Sequence, residues 1–150
     1  MNKEFTYSAF ISYSHKDQKY AQNLQKKLES YRLPSALQHQ IANKSKHPVA
    51  PVFRDATDLV AGKLNENLRR ELEQSKFLIV ICSPNSAQKN EQGKHYVNSE
   101  VDHFVSLGRA DYIIPVIIDG IPGDPEKECF CPTIKSLELV GVDATKFSDR

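Results

Sequence analysis

The segment His95-Tyr96-Val97-Asn98-Ser99-Glu100-Val101-Asp102-His103-Phe104-Val105 carries one acid on the shoulder of an apolar stripe. Val97, Val101, Phe104 and Val105 recur at helical spacing and should face a core. Glu100 lies one helical turn from Tyr96, Val97 and Phe104 and two from Leu107, whereas Asp102 falls on the opposite, wet side. A carboxylate beside apolar and aromatic neighbours is poorly solvated, which is how a protein tunes an acid for chemistry. The alternative is an exposed helix glutamate whose neighbours happen to be apolar.

Other chemistries leave weaker marks. Among the 6 glycines there is no G-x-G-x-x-G or G-x-x-x-x-G-K motif, which argues against a dinucleotide oxidoreductase and against a P-loop enzyme. A phosphoacceptor receiver would want acids after the first strand and an aspartate ending the third, where this chain has Ser14 and Ser83. Cys82 sits in an expected core strand, and Cys129 and Cys131 sit in a loop, one residue apart. No second ligand cluster accompanies that pair, so no metal is expected, and the odd cysteine count suits a reduced, cytoplasmic setting.

The elements that must position Glu100 can be read in order. Phe5 to Tyr13 is rich in aromatic and β-branched residues and reads as a first strand. Ser14 can cap the following helix, with Asp17 returning the bond as in a capping box. That helix would bury Tyr20, Ala21, Leu24 and Leu28 and end near Tyr31, before Pro34. Gln38 to His47 reads as a surface loop, and Pro48 to Phe53 as a short second strand.

Arg54 to Lys63 is a charged loop with Gly62 as a hinge, and Leu64, Leu68 and Leu72 mark an amphipathic helix. Lys76 to Cys82 is the most continuous apolar run, as expected of a central parallel strand buried on both faces. The Glu100 helix follows, with Gly108 as its C-terminal stop. Tyr112 to Asp119 reads as a fourth strand despite Pro115, Gly120 to Pro132 as a loop, and Leu137 to Val142 as a last short strand.

Alternating strands and helices predict a three-layer α/β sandwich on a parallel sheet. In the order 2-1-3-4-5 the switch point falls between strands 1 and 3, where Ser12 to His15 and Ser83 to Ser86 would meet beside a helix N-terminus suited to an anion. The helix after strand 3 would bring Glu100 towards the same mouth. The chain ends soon after its last strand without the final helix such a sheet would need. It is therefore expected to be a fragment of a longer protein or to receive that layer from a partner.

The totals agree with one domain spanning 1-150. The 150 residues suffice for a single substantial core. With 26% charged residues and a net charge of +1, neither disorder nor nucleic-acid binding is favoured. No apolar run reaches membrane-spanning length, and Met1-Asn2-Lys3-Glu4 is unlike a signal peptide.

Taken together, Ala9-Phe10-Ile11-Ser12-Tyr13-Ser14 with Asp17, Phe53-Arg54-Asp55 through Asp58-Leu59 and Ala61-Gly62-Lys63, Ser83-Pro84-Asn85-Ser86, Tyr96 with Glu100, and Ile114-Pro115-Val116-Ile117 resemble a bacterial Toll/interleukin-1 receptor (TIR) domain. Each motif is short, but their order and spacing together are specific and span nearly the whole chain. The resemblance implies a flavodoxin-like five-stranded parallel sheet, and a fourth strand that tolerates Pro115. It also implies cleavage of NAD⁺ at the nicotinamide-ribose bond by a helix glutamate, in the pattern aromatic, x, x, x, Glu that Tyr96 and Glu100 reproduce. Tyr96 stands where tryptophan is commoner, and Val97 where cysteine is often found; tyrosine can still stack.

By this resemblance Glu100 would hold the nicotinamide ribose and stabilise the positive charge that develops as nicotinamide leaves, NAD⁺ being a substrate and not a cofactor. The leaving group is already cationic, so one carboxylate can suffice where ordinary glycosidases need two. Water capture would give ADP-ribose, and internal capture a cyclic product. Phe10 and Tyr96 are candidates for the nicotinamide end, Ser14 and Ser83 for polar contacts, and Arg54, Asp55 and Lys63 for a lid, the BB loop. Against these stand Phe10 as core, Ser14 as a helix cap, and Arg54 with Asp55 as a solvated ion pair.

The family also implies self-association, effector or sensor domains in a full-length protein, and a role in signalling or antiphage defence. A non-catalytic adaptor acting by TIR-TIR association is the main alternative. A nucleoside N-glycosyl transferase shares the chemistry but should lack the BB-loop pattern.

Overall fold

A computed structural model of the chain describes residues 5–31, 51–54, 66–89, 93 and 95–145. The strands are β1 (Tyr7–Ser12), β2 (Val52–Arg54), β3 (Ser75–Cys82), β4 (Ile113–Ile117) and β5 (Val142–Asp143), and the helices are α1 (Gln18–Ser30), α2 (Glu66–Glu73), α3 (Tyr96–Ser106) and α4 (Pro132–Leu137). The strands form a sheet in the order β2-β1-β3-β4-β5. Every neighbouring pair is parallel. This is the doubly wound arrangement expected from the alternation of elements.

The two-residue period of the strands divides the core. Ala9, Ile11, Ile79 and Ile81 face α1, where Ala21 is buried and Tyr20, Leu24 and Leu28 pack. Phe10, Leu78, Val80 and Cys82 face the other way, against Leu68 and Leu72 of α2, Val97, Val101 and Phe104 of α3, and Ile134 of α4. β3 is therefore buried on both faces, which its unbroken apolar run required.

Pro115 lies in the interior of β4, paired with Val80 of β3. On the other side, β5 joins the ladder only at Val116 and Ile117. A missing N–H at 115 thus costs no ladder bond on the β5 side.

Two readings need correction. The last strand is not Leu137 to Val142: Pro132–Leu137 is helix and only Val142–Asp143 is strand. Pro132 sits in the first turn, where its missing donor costs nothing, and Ile134 is buried, so the helix forms despite its length. Nor does Asp17 return a capping-box bond. A 3₁₀ turn, His15–Asp17, precedes α1, and the Asp17 side chain makes no cap bond.

Gly108 does close α3, with φ of 77° and its N–H bonded to Val105 O. Leu64, the Gln38–His47 loop, and Asp55 through Lys63 lie outside the described residues, as do positions 146–150, which bear on the expectation of an absent last helix.

Candidate active site

Glu100 lies on the sheet-facing side of α3, only 5% exposed. Its Oε1 accepts a 2.9 Å hydrogen bond from Ser12 Oγ. Ser12 is the last residue of β1 and 1% exposed, so the acid is held at the carboxyl end of the strand beside the switch point. A buried carboxylate needs such a donor, and a buried hydroxyl needs such an acceptor. Asp102, two residues on, is exposed and accepts from Asn98 and Thr133 instead.

The loops after β1 and β3 do meet at this edge. Ser83 Oγ donates to Asp17 Oδ2 at 2.6 Å, and Asn85 Nδ2 donates to Asp17 Oδ1 at 3.1 Å. Ser83 Oγ also accepts from the N–H groups of Asn85 and Ser86. The same turn is tied to the start of α3, because His95 Nε2 lies 3.0 Å from Ser86 O. A carbonyl only accepts, so that ring nitrogen carries the proton. A chain of polar contacts thus runs along the carboxyl edge from the start of α1 to the start of α3.

A sequence model of the TIR domain matches residues 9–149. The chain belongs to the TIR domain family. It is similar to the NAD(+) hydrolase ApTIR of Actinoplanes sp., at 33% identity over 76% of this chain and 14% of that protein. It is also similar to Protein toll of Drosophila melanogaster, at 32% identity over 85% of this chain and 10% of that protein. The chain thus spans a small part of the length of either relative.

Within this TIR domain the expected site residues are not all brought together. Tyr96, the first residue of α3, is half-buried one turn before Glu100. Ser14 caps the 3₁₀ turn, accepting from Lys16 N at 3.4 Å. Ser83 is buried and engaged with Asp17. Phe10 is 0% exposed, its ring stacked on Phe53 at 5.1 Å between centroids, and so serves the core.

Arg54 ends β2 at the same edge but reaches to the other face of the sheet. Its Nε donates to Gln25 Oε1 of α1 and its Nη1 to Tyr13 OH. Asp55 and Lys63 lie outside the described residues. Sequence reasoning placed Ser12 at this edge without pairing it to Glu100, missed His95, and gave Asp17 the wrong partner. The available signal for Ser12 was a polar residue in phase with the core residue Phe10.

The three thiols converge on the α3 face of the sheet. Cys82, Cys129 and Cys131 are free and buried. Burial pushes Cys129 and Cys131 up to about 11, and drives Cys82 higher still. They are therefore poor nucleophiles in the folded protein. Among the described residues no group of three His, Cys, Asp or Glu could hold a metal, and no helix is long and apolar enough to cross a membrane.

Proposed function

We propose that this TIR domain hydrolyses NAD⁺ at the nicotinamide-ribose bond, with Glu100 as the catalytic carboxylate. The observation that carries the reading is the burial of Glu100 at the carboxyl end of β1, its carboxylate already oriented by Ser12. The resemblance to a bacterial protein named as an NAD(+) hydrolase supports it.

The geometry suggests how the chain would act. Glu100 would exchange part of its present surroundings for the hydroxyls of the nicotinamide ribose. Its negative charge would then lie beside the sugar as the glycosidic bond breaks and cationic character builds on the ring, and an oriented charge in a dry site stabilises such a transition state strongly. Tyr96, one turn earlier, would flank the nicotinamide. Ser14 and Ser83 would act through the loops they hold, and Asp55 and Lys63 remain assigned by resemblance. Phe10 and Arg54 enter the reading only as supports, the one beneath the sheet surface and the other on the α1 side.

Glu100 is only 5% exposed, so NAD⁺ would reach it after a local rearrangement, and self-association is the step proposed to favour that form. Closure of the oxocarbenium by water would give ADP-ribose and by an internal nucleophile a cyclic product. A place in signalling or antiphage defence, alongside further domains, is part of the same proposal.

The test is release of nicotinamide from NAD⁺ by the 150-residue chain over a wide concentration range, with Glu100→Gln and Glu100→Ala alongside. Release that rises with concentration and vanishes in both variants supports the reading. Full release by both variants would remove Glu100 from the mechanism. Oligomers without release at any concentration would favour the adaptor. Chromatography of the product separates hydrolase from cyclase.

A further inference from the structure

Ser12 occupies a position that packing alone would give to an apolar residue. It lies on the same face of β1 as Phe10, which is wholly buried, and is itself 1% exposed. A hydroxyl buried there is tolerated only with a partner, and its partner is Glu100 Oε1 at 2.9 Å. The two residues are 88 positions apart, so neither local turn geometry nor helix capping explains the bond. Ser12 is paired with Val80 of the central strand β3, which fixes its backbone, and serine has a single side-chain torsion before its oxygen. The donor is therefore rigid, whereas the longer glutamate side chain has several rotamers to choose from.

We propose that Ser12 is a positioning residue for Glu100, its hydroxyl selecting the rotamer that presents the carboxylate to the ribose of NAD⁺. The proposal rests on the hydrolase reading of Glu100. Substrate can bind to a site whose acid is misplaced, but the charge that develops in the transition state needs the acid at a fixed distance. Loss of the tether should thus lower kcat and leave KM nearly unchanged.

The experiment compares nicotinamide release by the wild-type chain, Ser12→Ala and Ser12→Thr, with circular dichroism to establish folding. Expected is a fall in kcat of about tenfold or more for Ser12→Ala, the size of one lost hydrogen bond to a charged group. KM should change less than about threefold, because the ribose hydroxyls held by Glu100 are a small part of the NAD⁺ surface that binds. Ser12→Thr, which restores the hydroxyl, should recover most of kcat.

A folded Ser12→Ala with wild-type kcat overturns the proposal, and so does a loss confined to KM. A folded Ser12→Thr as slow as Ser12→Ala does the same. Should the extra methyl of threonine prevent folding, Ser12→Cys takes its place. Its weak S–H donor should leave it faster than Ser12→Ala, and equal rates overturn the proposal. No release from the wild-type chain at any concentration defeats the hydrolase reading itself, and the role of Ser12 with it. Normal wild-type turnover with an unaffected Ser12→Ala defeats only the latter.

Discussion

Ser12 Oγ donates to Glu100 Oε1 at 2.9 Å, joining the end of the first strand to the middle of the helix that follows the third. This bond crosses the switch point between β1 and β3, where open parallel sheets place their ligands. Substitutions at Glu100 can therefore separate the structural contribution of this bond from the catalytic role proposed for the carboxylate.

Glu100→Gln keeps the shape of the side chain and an oxygen that can accept from Ser12, while removing the charge. It is expected to fold normally and to lose nicotinamide release by about 100-fold or more, the scale of removing a preorganised charge-stabilising group. Glu100→Ala leaves the Ser12 hydroxyl buried without its acceptor and should also lose about 1–3 kcal/mol of stability. Denaturant unfolding beside the release assay reads both effects. Equal stability of the two variants would contradict the bond.

Asp17 joins the loop after β1 to the turn after β3 through Ser83 and Asn85. Asp17→Ala removes the acceptor of a buried hydroxyl and should destabilise the domain by about 1–2 kcal/mol. Amide hydrogen exchange of the Ser83–Ala87 turn should rise selectively, because its fixed position depends on that carboxylate. Unchanged exchange there would show that the Ser83 N–H and hydroxyl contacts within the turn hold it alone.

Some of this was legible in the residues. The apolar run of β3 announced a strand buried on both faces, and the period of α3 placed Glu100 inward and Asp102 outward, because repeating patterns report which face is buried. Partners distant in sequence were not legible: Asp17 and Ser83 are 66 residues apart, and an S-x-x-D spacing offered a local capping explanation instead. The side of the sheet taken by Arg54 was hidden because β2 has only three residues, too few to establish a phase. Helix α4 was missed because six residues show no convincing helical period next to so many loop signals. Position rather than pattern made Phe10 a core residue, since an aromatic side chain in a strand reads the same whether its ring meets a ligand or Phe53.

Helix α4 is fastened to α3 by Thr133, whose N–H donates to Asn98 Oδ1 at 2.9 Å and whose hydroxyl donates to Asp102. Ile134 beside it is fully buried. Ile134→Ala should therefore cost about 2–5 kcal/mol as a cavity opens against the α3 face. Asp102→Ala, at an exposed position, should cost no more than about 1 kcal/mol. Urea midpoints of the two variants give the comparison, and an Asp102→Ala loss as large as that of Ile134→Ala would mean that the polar clamp, not the packed side chain, holds α4.

The buried thiols set a limit at alkaline pH. Folding raises the Cys129 and Cys131 values to about 11, and that of Cys82 further, chiefly because burial penalises the thiolate. In an unfolded chain a cysteine titrates near 8.5, so above that pH the unfolded state has released protons that the folded state still holds. Stability must then fall as pH rises. The contribution is fully present below about pH 8.5 and is lost progressively as the pH climbs through about 11. Thermal unfolding at a series of pH values should show this decline, and replacing Cys129 and Cys131 by alanine should flatten it. Labelling of the native chain with a thiol reagent at pH 8 should be slow and should become rapid on unfolding, because only the exposed thiolate reacts. Fast labelling of all three thiols in the folded protein would contradict their burial.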